Sequence, residues 1–93
     1  MKNKVVVLFE RFEDFTKEQK QALTLKDFTV SELTAIIEET ILTDVDKQIA
    51  KLRFIKLLSF DKISDQLLFD SRTIRKHIIY IEKALSETIM RIL

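Results

Sequence analysis

The sequence predicts an all-α fold, a small multi-helix bundle that ends in a helix-turn-helix with a long final helix. Three observations favour it. The 93 residues include no Gly and no Pro, so tight hairpins lack their usual turn residues. Hydrophobic residues make up 46% and charged residues 33%, which is typical of a folded helical chain. Apolar residues also recur at steps of three and four behind Ser, Thr or Asp caps.

Composition also limits the function. Without Gly, a P-loop and a GxGxxG turn are excluded. The absence of Cys excludes disulfides, zinc fingers and thiol catalysis. His77 is the only histidine and has no Ser or Cys partner in view, so we expect no enzyme, no metal site and no cofactor. The longest apolar run, Val5 to Phe9, is shorter than a membrane span or a signal peptide, which predicts a cytoplasmic protein with no membrane partner.

Residues 1–42 are expected to form an N-terminal helical part of unknown role. Apolar spacing favours an amphipathic helix over residues 3–15, although the run Val5-Val6-Val7 also suits a strand. Thr16 and Gln19 form a capping-box pattern for a short helix that ends near Leu25. The best loop candidate is 26–29. Four phenylalanines are expected in the core: Phe9, Phe12, Phe15 and Phe28.

Two further helices are predicted by the cap patterns Thr29-x-x-Glu32 and Thr43-x-x-Asp46. The first would bury Leu33, Ile36, Ile37 and Ile41. The second would bury Ile49, Leu52, Leu58 and either Phe54 or Ile55. Four nearby acidic residues are expected to face water: Glu38, Glu39, Asp44 and Asp46.

The most informative segment is 59–85. Ser59 interrupts the preceding helix, a short helix covers about Asp61 to Leu68, and Asp70 caps a last helix that runs towards Ile92. Small Ser64 sits where the last helix approaches closest. The predicted buried stripe consists of Ile63, Leu67, Ile74, Ile78, Ile81 and Leu85, with Phe69 in the turn. Two helices joined by so short a turn are typical of a helix-turn-helix.

The face opposite that stripe is basic. Arg72, Lys76, Ile79 and Lys83 lie on it, with Arg75 on one flank and Tyr80 on the other. Such a face predicts a recognition helix in the major groove of double-stranded DNA. The expected DNA-binding residues are Lys62, Ser71, Arg72, Thr73, Arg75, Lys76 and Lys83. His77 is expected on a flank, partly buried or near phosphate, and Tyr80 is expected to pack.

Charge is distributed unequally along the chain. Residues 1–50 hold seven basic against ten acidic side chains, whereas residues 51–93 hold nine basic against five acidic ones. This asymmetry favours contact between the C-terminal part and a polyanion.

The C-terminal part also resembles known families. The LuxR-type helix-turn-helix has the pattern I-A-x-x-L-x-I-S-x-x-T-V-K-x-H-x-x-x-I. The chain matches it through Ile63-Ser64, Leu67, Phe69-Asp70, Thr73-Ile74-Arg75, His77-Ile78, Ile81 and Leu85. Upstream, Leu52-Arg53-Phe54 and the run Ser59 to Ile63 resemble the promoter-reading C-terminal domain of bacterial sigma factors, L-R-Y…G-L-S-Y-x-E-I-A. Phage late-transcription regulators of the ArpU and RinA type share this layout.

The resemblance covers residues 43–88, and it implies that 43–93 is a sigma-like DNA-binding part, in one compact domain with 1–42. The chain departs from the patterns at four positions. Leu57 and Leu68 stand where sigma and repressor-type motifs have Gly, Ser64 replaces Ala, and Asp70 replaces a Ser cap.

The implied function is transcription regulation, with DNA and possibly RNA polymerase as partners. The alternative is a helical protein-interaction module, an adaptor or anti-factor that binds a polymerase subunit or sigma factor. A homodimer through the final helix is also expected, because its apolar end needs cover from the N-terminal helices or from a second copy. The residues that form this end are Ile89, Met90, Ile92 and Leu93.

Overall fold

The computed structural model describes Phe12 and residues 14–93, and within these residues it contains five α-helices and no strand. Their bounds are α1 Lys17–Gln21, α2 Val30–Glu39, α3 Asp44–Ala50, α4 Phe60–Leu67 and α5 Ser71–Ile92. A 3₁₀ turn, Leu25–Asp27, precedes α2, and a π-helical segment, Lys51–Ile55, continues α3. The predicted all-α fold is confirmed. The helix expected over 3–15, with its alternative strand, lies almost wholly outside the described residues, as does Phe9.

The predicted caps start the helices. The side chains of Thr16, Thr29 and Thr43 each accept a hydrogen bond from the backbone N–H three residues later. Ser59, which was expected only to interrupt the preceding helix, caps α4 in the same way. Asp70 Oδ1 accepts from the Arg72 N–H at 2.7 Å. These bonds satisfy backbone donors that have no partner inside the helix, which is why the helices begin at these residues.

Two predicted helix boundaries are wrong. The helix α1 ends at Gln21 rather than near Leu25, because Thr24 opens a separate 3₁₀ turn inside the expected helix. The Thr24 N–H donates to Asp27 Oδ2 at 2.7 Å, and this local bond replaces the helical pattern. The turn also takes up the start of the loop expected at 26–29. The helix α2 ends at Glu39, and the next residue has extended backbone.

The core lies between α5 and the helices α2, α3 and α4. Its buried apolar residues are Phe12, Phe28, Leu33, Ile36, Ile37, Ile49, Ala50, Ile63, Ile74, Ile78, Ile81, Leu85 and Ile89. Phe15, Leu52, Phe54, Ile55 and Leu58 are partly buried against it. Ile41 was expected in this core, but it is 92% exposed, because α2 stops before it and the chain turns away.

The second half of α5 belongs to the same core. Thr40 donates its hydroxyl to the carbonyl of Ile36 or to Thr88 Oγ1, each at 2.7 Å, and both threonines are buried. Lys20 Nζ donates to the carbonyl of Leu93 at 3.0 Å, and Ile92 packs against the core. Of the apolar end of α5, Ile89 is buried, Ile92 and Leu93 are partly buried and Met90 is exposed, so the described residues cover part of this end and the homodimer stays a prediction.

Candidate nucleic-acid interface

The helices α4 and α5 form a helix-turn-helix pair with a three-residue turn. Leu68 takes a left-handed conformation, with φ 59° and ψ 32°, which ends α4 and redirects the chain. The Ser64 hydroxyl donates to the carbonyl of Phe69, so its small side chain ties α4 to the turn. Asp70 then caps α5. These three local interactions set where α5 begins relative to α4.

Burial along α5 shows which face points outward. Ile74, Ile78, Ile81 and Leu85 are buried, as is Ile63 of α4. The predicted inner stripe is confirmed at these five positions, and its sixth member, Leu67, is partly buried against the core. Because residues at steps of three and four share one side of a helix, the opposite side is left to solvent.

The outward face of α5 carries the predicted basic side chains. Arg72, Arg75, Lys76 and Lys83 are all exposed, and none forms an ion pair with any other residue that the structure describes. We call these four residues the basic face. Arg72 and Arg75 also lie in the first turns of a 22-residue helix, where backbone N–H groups favour an anion. The face can therefore bind a polyanion without first breaking an ion pair to any residue among Phe12 and 14–93.

The other three predicted DNA-contact residues lie on the same pair of helices as the basic face. Ser71 and Thr73 are half-buried in the first turn of α5. Lys62 is exposed on the other helix of the pair, α4, and its backbone N–H donates to Ser59 Oγ at 3.2 Å. The seven predicted DNA-binding residues thus lie on the two helices of the helix-turn-helix, and five of them are exposed.

One flank of the basic face is held by an aromatic ring. The guanidinium carbon of Arg75 lies 5.5 Å from the centroid of the Phe60 ring, and that of Arg53 lies 4.5 Å from it. Arg53 Nη1 also donates to the carbonyl of Leu58 at 3.0 Å. Cation–π attraction to Phe60 draws both guanidinium groups to the start of α4. Arg53 belongs to the segment that resembles sigma-factor domains, but its contact with Phe60 was not predicted.

The two positions where the resembled motifs carry Gly have glycine-like backbone. Leu57 and Leu68 both have φ of 59°, and they are the two residues with positive φ in the described part of the chain. Leucine reaches this conformation only at a steric cost, which Gly avoids. Both side chains are largely exposed.

A buried carboxylate holds the other flank of α5. His77 Nδ1 donates to Asp46 Oδ1 at 2.6 Å, and the His77 ring stacks on Phe69 with centroids 6.1 Å apart. Asp46 is buried, so the expectation that it faces water is wrong. His77 is half-buried, as expected for a flank residue. Tyr80 was expected to pack, but its side chain is exposed because it lies on the outer side of this flank.

The other three acidic residues of that group are exposed, as expected. Glu38 forms ion pairs with Lys51 Nζ at 2.9 Å and Lys47 Nζ at 3.6 Å, which link α2 to α3 and the π-helical segment. The hydrogen bond and charge of Lys51, with a smaller contribution from Lys47, lower the pKa of Glu38. Among the described residues there is no His, Asp and Glu cluster that could hold a metal ion.

A second surface feature is an open groove of about 880 Å³ beside the 3₁₀ turn. Its walls are mostly apolar and include Leu25, Phe28, Phe54 and Leu57. Arg53 lines it as well, so the groove lies next to the Arg53–Phe60–Arg75 cluster.

None of the described helices has the length and apolarity to cross a membrane. Comparison with protein-family models, with curated proteins and with solved structures finds no match to this chain. The resemblance to LuxR-type and sigma-type motifs therefore stays a prediction.

Proposed function

We propose that the chain is a DNA-binding transcription regulator of the sigma-like or phage-regulator type, which places α5 in the major groove. The observation that carries this proposal is the basic face, four exposed cations on one side of the second helix of a helix-turn-helix, free of ion pairs with described residues. Nucleic-acid affinity arises largely from such cations, because each neutralised phosphate releases counterions.

The residues divide by expected role. Arg72, Arg75 and Lys76 lie in the first two turns of α5, and we expect them to contact base edges and phosphates. Lys62 and Lys83 would contact the flanking DNA backbone. The left-handed backbone at Leu57 and Leu68 supports the resemblance, because those are the positions at which the resembled motifs carry Gly.

The direct test is fluorescence anisotropy with a labelled duplex of random sequence, across a series of salt concentrations. DNA binding predicts a logarithm of affinity that falls linearly and steeply with the logarithm of salt concentration. Selection of duplexes from a random pool would then identify the preferred site. If no duplex binds at low salt in either experiment, the proposal is overturned.

A charge-matched pair of double variants tests the location of the interface. Arg75→Ala with Lys76→Ala should weaken binding by about 1–3 kcal/mol for each side chain that is bidentate to a base, and by less for a phosphate contact. Lys17→Ala with Lys26→Ala removes the same charge from exposed positions in the N-terminal part and should have little effect. Unchanged binding in a folded Arg75/Lys76 variant would overturn the assignment of α5.

A second candidate function is a protein-interaction module that binds RNA polymerase or a sigma factor. It is favoured by the apolar groove, whose lining includes the 78% exposed Leu57 beside Leu25, Phe28 and Phe54. Exposed apolar groups of this kind mark contact surfaces when they are contiguous. Co-purification with polymerase core or sigma factor that survives nuclease and high salt, without duplex binding, would favour this function over the first.

A further inference from the structure

The centre of the basic face is occupied by an apolar side chain. Ile79 is 63% exposed and lies on the same side of α5 as Arg72, Lys76 and Lys83, with Arg75 beside them. A single exposed Ile is ordinary on a protein surface. This one differs in its surroundings, since any polyanion that contacts the cations on both sides must also cover Ile79.

The geometry of the DNA major groove decides which part of the DNA would cover Ile79. Arg72 and Lys83 lie about 16 Å apart along the helix axis, and Ile79 lies between them. Phosphates line the edges of the major groove, and the base edges form its floor. A phosphate against Ile79 would lose hydration without gaining a hydrogen bond, which is unfavourable. A base edge that presents a methyl group would gain an apolar contact.

We infer that Ile79 reads a thymine through the C5-methyl group of that base. This inference rests on the proposed function and adds a sequence preference to it. Thymine is the one standard base with a methyl group in the major groove, so an apolar contact there distinguishes it from the other three. The side chain suits this task because a β-branched residue in a helix keeps essentially one χ1 rotamer. Its methyl groups therefore lose little freedom on binding.

The experiment uses a duplex selected from a random pool by the unmodified chain. Each thymine is replaced in turn by deoxyuridine, which removes the methyl group and keeps the base pair. At one position the unmodified chain should bind about four-fold more weakly, the change that corresponds to one buried methyl group. Ile79→Ala should bind the original duplex about four-fold more weakly and should be indifferent to that replacement.

Lys83→Ala is the matched control from the same face. It should weaken binding to the thymine and uracil duplexes by the same factor, because a lost cation does not distinguish them. An effect of uracil on duplex shape would persist in both variants, whereas a methyl contact disappears only in Ile79→Ala. Circular dichroism melts check that each variant is folded.

The outcomes separate this inference from the function on which it rests. If the unmodified chain binds its selected duplex equally well with every thymine replaced, if Ile79→Ala keeps the preference, or if the selected site contains no thymine, the role of Ile79 is overturned while DNA binding stands. If no duplex is selected, the proposed function fails and this inference fails with it.

Discussion

His77 at the end of the second turn of α5 donates to Asp46 in the first turn of α3, with 2.6 Å between Nδ1 and Oδ1. The carboxylate is buried and the imidazole is half-buried. The bond joins the flank of the basic face to a helix that lies outside the helix-turn-helix. Stacking of His77 on Phe69 extends the connection to the turn. The orientation of α5 is thus held from two sides, by Asp46 and by the turn.

Removal of the buried carboxylate should destabilise the chain. Asp46→Ala leaves His77 without its acceptor, so we expect the free energy of unfolding to fall by about 1–3 kcal/mol. Asp44→Ala is the matched control, an exposed carboxylate in the same turn of α3, with an expected loss below about 1 kcal/mol. Urea denaturation of both variants measures the difference. Equal losses would show that the bond to His77 contributes nothing.

The cap at Thr43 was predictable, and the burial of Asp46 beside it was not. Thr43 bonds a backbone N–H three residues away, so its role follows from the local pattern alone. Asp46 depends on His77, which lies 31 residues further along the chain. A carboxylate that lies near other acidic residues in the sequence is normally exposed to water. Nothing in the residues around Asp46 indicates that a distant imidazole will pack over it.

Leu68→Gly should leave the chain as stable or make it more stable by up to about 1 kcal/mol. Glycine removes the steric cost of positive φ, and this gain exceeds or balances the greater entropy of the unfolded chain. Leu68 is exposed, so little buried apolar area is lost. Gln66→Gly, two residues earlier within α4, should instead cost about 1 kcal/mol. Chemical denaturation compares the two, and similar losses would contradict the left-handed conformation at Leu68.

Adjacent isoleucines of α5 should respond in opposite ways. Ile78 is 3% exposed, so Ile78→Ala should cost about 2–5 kcal/mol through the cavity that it leaves. Ile79→Ala removes an exposed side chain and gains helix propensity, so its effect should stay within about 0.5 kcal/mol. Thermal melts of the two variants check the outward direction of the basic face. The reverse order would mean that the faces of α5 are misassigned.

The hydroxyl pair between α2 and α5 should show energetic coupling. Thr40 and Thr88 together have two hydroxyl protons for three close contacts, so the two groups act as one chain of hydrogen bonds. Each single change to Val should cost about 1–3 kcal/mol, because it leaves a buried hydroxyl with fewer partners. The double variant should lose less than the sum of the two. Strict additivity in a double-mutant cycle would refute the coupling.

The stabilising effect of Glu38 should depend on pH. Lys51 lowers the pKa of this carboxyl in the folded chain below its ordinary value of 4.5. A lowered carboxyl pKa stabilises the folded state above the unfolded value, and this contribution is lost as pH falls through the folded value. The melting temperature of Glu38→Gln should therefore lie below that of the unmodified chain at pH 7, and the difference should shrink as pH falls below 4.5 and vanish only below the folded pKa. Glu39→Gln, the exposed neighbour, serves as the control, and a difference that persists in acid would contradict the ion pair.

The end of α2 at Glu39 was not predicted for the same reason that the burial of Asp46 was not, because both depend on residues that are distant in the sequence. Apolar spacing continues from Ile37 to Ile41 with no Gly or Pro to stop it, so the pattern extends the helix. In the structure Thr40 has extended backbone, and its hydroxyl bonds with Thr88 on α5. A tertiary contact thus accompanies the end of the helix. The inner stripe of α5 was predictable because its spacing is long and regular, whereas this boundary depends on a residue 48 positions away.

The π-helical segment has a consequence for changes in chain length. Its backbone bond runs from the N–H of Lys56 to the carbonyl of Lys51, one residue further back than in an α-helix. The segment is therefore equivalent to one inserted residue, and deletion of one residue from 51–55 would restore ordinary helical register. Residues on either side of the deletion would then rotate by about 100° relative to one another. Arg53 could no longer meet both Phe60 and the carbonyl of Leu58, so the chain should tolerate substitutions here better than a change of length.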